Sequence, residues 1–151
     1  MAPQKVNARD LIFQVLDDDD TTWLGISNLN EITMNPSEDE EETDTTVYES
    51  DGDAEHEKMQ RGASAELSGF QTLDSITGAP DPGQARCEDM ATKKGPESHG
   101  SVRFRHPLQT TWRVWPKATF SAGEQGGGNN DKTSWGMTIK RSGSSTTAAV
   151  V

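Results

Sequence analysis

The chain has 151 residues and a formal net charge of −11, with only 23 Leu, Ile, Val or Phe, under the ~20% share that with high charge accompanies disorder. One cysteine, Cys87, excludes an intrachain disulfide, and no stretch approaches the ~18 apolar residues of a membrane span. The acidity disfavours an ordinary nucleic-acid-binding module, because phosphate is repelled from such a surface.

The apolar residues nevertheless fall in alternating runs, so the sequence predicts a single domain over 1–151 whose thin core is completed by neighbouring copies. Met1–Lys5 lacks the apolar core of a signal peptide, which makes a protein produced in the cytoplasm the expectation. Charge is distributed unevenly. Residues 17–57 hold 16 acids and no Lys or Arg, more than the whole net charge.

Leu11–Leu16 reads as a buried strand ended by Asp17–Asp20, a hairpin tip whose like charges need water. Strands are predicted at Thr21–Ile26 and Glu31–Met34, and Asn35-Pro36 breaks the pairing. Residues 35–62 read as a long acidic loop, in which Thr43–Tyr48 becomes a strand only on a pairing partner. In Ala63–Phe70, Ala63, Ala65 and Leu67 share one face while Ser64, Glu66 and Ser68 share the other.

One helix is predicted over about 82–94. Asp81 caps it, Pro82 takes its first position, Gln84 completes a capping box and Gly95-Pro96 stops it. Cys87, Met90 and Ala91 form its apolar stripe, with Arg86, Glu88, Asp89 and Lys93 facing out. Further strands hold Val102 and Phe104, then Trp112 and Val114. Ala118 and Phe120 follow a break at Pro116. After a flexible loop at Ser121–Asp131, Trp135, Met137 and Ile139 alternate with Ser134, Thr138 and Lys140. Residues 143–151 read as a tail.

No catalytic centre emerges. Asp51, Asp53, Glu55 and Glu57 alternate as in a calcium loop, but Gly52 is misplaced for an EF-hand. His56, His99 and His106 lack ligand spacing for zinc. There is no Gly-x-Ser-x-Gly elbow and no phosphate loop around Gly126–Gly128. Cys87 and the four tryptophans read as core or interface residues. Arg103, Arg105 and Arg113 are expected to share an outward face whose partners are acids, including those of another subunit.

Taken in order, several segments resemble the major tail (tail tube) protein family of long-tailed bacteriophages with non-contractile tails. They are Asn7-Ala8-Arg9-Asp10, Asp44-Thr45-Thr46, Gln60-Arg61-Gly62-Ala63-Ser64, Asp81-Pro82-Gly83-Gln84-Ala85, Gly126–Lys132 before Ser134-Trp135, and Arg141-Ser142-Gly143. The resemblance implies a mainly β (α+β) fold, a β-sandwich or barrel-like core with one flanking helix. It also implies hexameric rings stacked into a tube that guides double-stranded DNA from capsid to host without binding it specifically. The implied partners are further copies and other tail proteins: terminator, tape measure and distal tail. The implied location is the virion, after assembly in the host cytoplasm. Neither cofactor nor membrane is implied.

On that reading Glu49, Asp51, Asp53, Glu55, Glu57 and Glu66 are candidate channel-lining acids. Pro36, Glu38, Asp39, Glu40, Glu41, Glu42, Asp44, Val47 and Tyr48 are candidates for an inter-subunit loop. Two alternatives stay open: a calcium-dependent β-sandwich binding module (an adhesin or carbohydrate binder) using Trp23 or Trp115, and a single-ring protein of the head–tail junction.

Overall fold

The structure is a computed structural model that describes residues 2–150; Met1 and Val151, the ends of the expected domain and of the expected tail, lie outside the described residues. A 3-10 turn at Ala8–Asp10 leads into β1 (Ile12–Leu16), followed by β2 (Trp23–Gly25), β3 (Leu29–Asn35), β4 (Glu41–Asp44), β5 (His56–Gln60) and β6 (Ser64–Phe70). Then come α1 (Pro82–Ala91), β7 (Gly100–Arg105), β8 (Thr111–Ala122), β9 (Ser134–Arg141) and β10 (Thr146–Ala149). The fold is mostly β with one flanking helix.

Eight strands form one antiparallel sheet in the order β2-β1-β7-β8-β9-β6-β3, with β10 also on β8. The sheet curls until its two end strands meet the same core: Leu24 of β2 and Leu29, Ile32 and Met34 of β3 pack on the buried cluster. That cluster takes the alternate residues Ala65 and Leu67 of β6 and Trp135, Met137 and Ile139 of β9. Leu67, Met137 and Ile139 each contribute roughly 1.5–3 kcal/mol of transfer free energy, and Ala65 less. Phe104 stacks on Phe13 and meets Trp115 edge-on, with centroids 5.7 and 5.4 Å apart.

The predicted break at Pro116 is a bulge inside one continuous strand. Between the pairs Gly100–Ala118 and Val102–Trp115 the β7–β8 register shifts, giving β8 one more residue than β7 over this stretch. The extra residue switches which side chains face inward, so Trp115 is buried on one side of it and Ala118 and Phe120 on the other. Exposed Pro116 gives up no needed donor there. The first part of β8 therefore pairs with β7 and β10, and its last part with β9. The expected tail is likewise a strand, β10, antiparallel to β8 from Thr146–Val114 to Ala149–Thr111.

The helix ends earlier than predicted, at Ala91. Asp81 caps it through the Gln84 amide (3.2 Å), but the Gln84 side chain does not close a capping box. It is buried, and its Nε2 donates to the carbonyls of Ser27 and Phe70. Arg86 also fails to face solvent: its Nε donates to the Leu16 carbonyl at 3.0 Å. Glu88 accepts from Trp135 Nε1 (2.9 Å) and Gln125 Nε2 (3.0 Å). Gly83 lets the helix touch the end of β2, since a Cβ there would strike the Gly25 carbonyl.

Candidate functional site: a free polar face and an acidic hairpin

Two surfaces stand out because none of the described residues covers them. The first is the outer face of β3, β6, β9 and the end of β8. Register places Thr33, Glu66, Thr138 and Ser121 in one row, and Asn35, Ser64, Lys140 and Thr119 in the next. Glu31 and Ser68 extend it. The helix packs on the opposite, core side through Cys87 and Met90, so this face stays open. It carries small hydroxyls, two carboxylates and one ammonium, with Phe70 at its end.

The second surface is the segment read as a loop. It is a two-stranded hairpin in which, among the described residues, β4 and β5 pair only with each other, from Glu41–Gln60 to Asp44–His56. Of the strand expected at Thr43–Tyr48 only Thr43 and Asp44 lie in β4, which pairs within the chain; Tyr48 opens a 3-10 turn at the tip, Tyr48–Ser50. Every residue of both strands is exposed. Ladder and tip hydrogen bonds hold it instead of burial. Thr45 N donates to Glu55 O (3.1 Å), Glu55 N to Thr46 Oγ1 (2.9 Å) and Val47 N to Ser50 Oγ (3.2 Å).

At the root, Lys58 pairs with Glu40 (3.2 Å) and Lys140 with Asp39 (3.3 Å). Asn35 Nδ2 donates to Glu38 (2.7 Å). Glu38 and Glu40 are accordingly half-buried, whereas Pro36, Glu41, Glu42, Asp44, Val47 and Tyr48 are exposed. Tyr48 stands fully in solvent beside Val47.

The candidate channel acids therefore divide. Glu66 lies on the open sheet face, while Glu49, Asp51, Asp53, Glu55 and Glu57 lie on the hairpin. Glu31, which shares the face of Glu66, was not singled out in the sequence; the alternation Glu31–Thr33–Asn35 was the available signal.

The expected arginine face needs correction. Arg113 pairs with Phe104, whose ring packs in the core, so it points away from Arg103 and Arg105. The other two are already engaged. The Arg103 guanidinium lies between Trp23 and Trp112, 4.4 and 4.1 Å from the ring centroids, and its Nε donates to Gln14 (2.7 Å). Arg105 lies over Trp112 at 4.8 Å and donates to the carbonyls of Pro107 and Gln109. Desolvation, then the Arg105 charge, lowers the Arg103 pKa. None of the three arginines has an acid partner among the described residues.

The binding-module alternative loses its tryptophans. Trp115 is 2% exposed and offers no platform, and Arg103 covers Trp23. Among the described residues no three His, Cys, Asp or Glu side chains converge to hold a metal. Burial pushes the Cys87 thiol up to about 12, which leaves no thiolate for chemistry at neutral pH.

No family model matches the sequence, and no curated protein matches it. Solved structures do. One similar chain is in the virion of a native gene transfer agent particle, at 18% identity and TM-score 0.67, covering 96% of this chain and 100% of that one. A second is in the tail of an empty gene transfer agent particle with C6 symmetry, at 17% identity and TM-score 0.66, with the same coverage. A third is in the 6-fold symmetrised baseplate of the anti-feeding prophage, at 13% identity and TM-score 0.61, covering 99% of each chain. What this chain shares with them is the fold, over nearly its whole length.

Proposed function

We propose that this chain is a structural, non-enzymatic tube subunit of a phage tail or related particle. On this reading it forms hexameric rings that stack around a passage for double-stranded DNA. The observation that carries the reading is the fold likeness over 96% of the chain to a chain of a C6-symmetric tail. The sequence segments named above favour the non-contractile kind of tail. With that assignment go the virion as location and the other tail proteins as partners.

The open face of β3, β6, β9 and β8 suits the channel wall. Glu66 and Glu31 repel phosphate, and the surrounding Ser and Thr offer no cation cluster on which DNA could lodge. The hairpin suits contact between subunits or rings. Its strands bury nothing in their own chain, and its order is locally maintained. A folded chain with a free sheet edge at β3 also gains from a neighbour that covers that edge.

Negative-stain microscopy of the purified protein tests the reading directly: tubes are expected, and monomers at every concentration would end it. Deleting residues 36–57 is expected to leave monomers or single rings, whereas tubes of normal length would remove the hairpin from assembly. Within particles, Glu31→Gln with Glu66→Gln is expected to slow DNA ejection while tubes persist. Unchanged ejection kinetics would take the channel wall elsewhere.

A further inference from the structure

Arg103 and Arg105 are engaged with rings and carbonyls, so the cations available to an acidic partner lie elsewhere. Arg61, just beyond β5, and Arg141, at the end of β9, line an open cavity of about 350 Å³ with Gly143, Ser144 and Ser145. No acid lines it, and neither arginine joins an ion pair among the described residues. Arg141 Nε is buried without a hydrogen-bond partner. The turn opens at Gly143 (φ 83), and the Gly143 and Ser144 amides donate to no backbone carbonyl among the described residues.

Two guanidinium groups on one cavity repel each other unless an anion lies between them. Their planar forks match a carboxylate in two-point geometry. In a chain of net charge −11, such an uncompensated pair stands out.

The chain's own hairpin tip does not reach it. Asp39 and Glu40, the acids at the root, are held by Lys140 and Lys58. Glu38 accepts from Asn35, and Glu41, opposite Gln60, neither lines the cavity nor joins an ion pair among the described residues. The β5 ladder carries the tip acids away, so that Glu55 lies about 20 Å along the strand from Arg61 at ~3.3 Å per residue. Bending the tip back would break the β4–β5 pairs.

We propose that the Arg61–Arg141 cavity receives carboxylates from the hairpin tip, residues 49–57, of a second copy. The inference rests on the self-assembling reading above and gives it a direction. Donor tip and acceptor cavity occupy different parts of one chain, and under the ring-forming reading each copy gives its tip to one neighbour and receives that of another, a heterologous contact. Repeated in one direction, it closes a ring or extends a stack, whereas a reciprocal exchange of tips would stop at a dimer.

The test uses the full chain in two variants, Arg61→Glu with Arg141→Glu, and Asp51→Lys with Asp53→Lys. Sedimentation should show each alone raising the onset concentration of assembly by about tenfold or more, the size of one ~1.4 kcal/mol contact. Mixed, their reversed charges match again, and onset should fall back toward that of the native chain. Unchanged urea midpoints exclude unfolding as the cause. An unchanged onset in either variant, or no recovery on mixing, overturns the proposal.

The tube reading fails separately: native assemblies that complement in this way but are not tubular under the microscope defeat it and leave the contact standing. Inorganic phosphate supplies a last control. If it shifts the Arg141 Nε–H resonance of the Asp51→Lys, Asp53→Lys variant and added native chain does not, the cavity is a free-oxyanion site and the carboxylate assignment falls.

Discussion

Leu67 on β6 and Tyr48 on the hairpin are 0% and 101% exposed, and the two regions around them are held by different forces. The sheet body is stabilised by burial: inward residues from β1, β6, β7, β8 and β9 close over one cluster, and α1 covers it through Cys87 and Met90. The hairpin buries nothing and keeps its shape through ladder pairs and a hydrogen-bonded tip. A chain poor in large apolar residues can support one such core. It then projects an ordered, charged element whose free energy of contact remains available to another molecule.

The largest expected effect lies in the body. Leu67→Ala should lower unfolding free energy by about 2–5 kcal/mol, from lost transfer energy and the cavity left behind. Tyr48→Ala on the hairpin should change it by no more than about 0.5 kcal/mol. Urea denaturation of both variants measures the contrast, and comparable losses would mean that the hairpin is part of the cooperative body.

Gln84→Ala comes next. It strips partners from the carbonyls of Ser27 and Phe70, and a loss of about 1–3 kcal/mol is expected from the buried groups left unsatisfied. A near-neutral result would mean that water replaces the amide, and that α1 is tied to the sheet by packing alone.

A smaller effect is expected at Arg103→Lys, about 1 kcal/mol. The ammonium keeps the charge but loses the flat stacking between Trp23 and Trp112 and the fixed bond to Gln14. The change should also alter tryptophan fluorescence in the folded state. If Arg103→Gln destabilises no more than Arg103→Lys, stacking and not charge is the main contribution.

The same contrast explains what the sequence disclosed. Strands of the body were legible because burial on one face writes a period of two: Ala63, Ala65 and Leu67, or Trp135, Met137 and Ile139. The hairpin left no such trace, since both faces of β4 and β5 meet water, and backbone pairing alone imposes no pattern on side chains. β10 was missed for the same reason: all four of its residues are exposed. Pro116 misled because a bulge accommodates it without ending the strand.

Among site residues, the acids were visible from composition, but their division between sheet face and hairpin required register. Arg103 and Arg105 were misassigned because the rings of Trp23 and Trp112 meet them only across the folded sheet, and Arg113 because register sets it on the face of Phe104. The Arg61–Arg141 pair is joined only when β9 folds beside the strand that follows Arg61, with Arg141 N donating to Ala63 O at 2.9 Å.

The finest comparison sets the β1–β2 turn of the body against the acidic hairpin, since each depends on an aspartate bound to threonine. Asp19 accepts from the Thr22 hydroxyl (2.6 Å) and from the Thr22 and Thr21 amides (2.8 and 2.9 Å), which lower its pKa from 3.8 to about 2. The Thr46 hydroxyl and amide, then more weakly the His56 charge, lower that of Asp44 in the hairpin. A depressed folded-state pKa stabilises above the unfolded value and is lost as pH falls through the folded one. For Asp19 the contribution is therefore whole above about pH 3.8 and lost on acidification toward about 2. Both turns are solvent-exposed, so the effect is local. Amide exchange at Thr21 and Thr22, corrected for the intrinsic rate, should accelerate across that window while core amides of β6 and β9 stay protected. Asp19→Asn should remove the pH step, and Asp44→Asn should remove the corresponding step at Thr46 alone. A step that survives Asp19→Asn would mean that the threonine bonds of Asp19 are not the source of the turn's acid sensitivity.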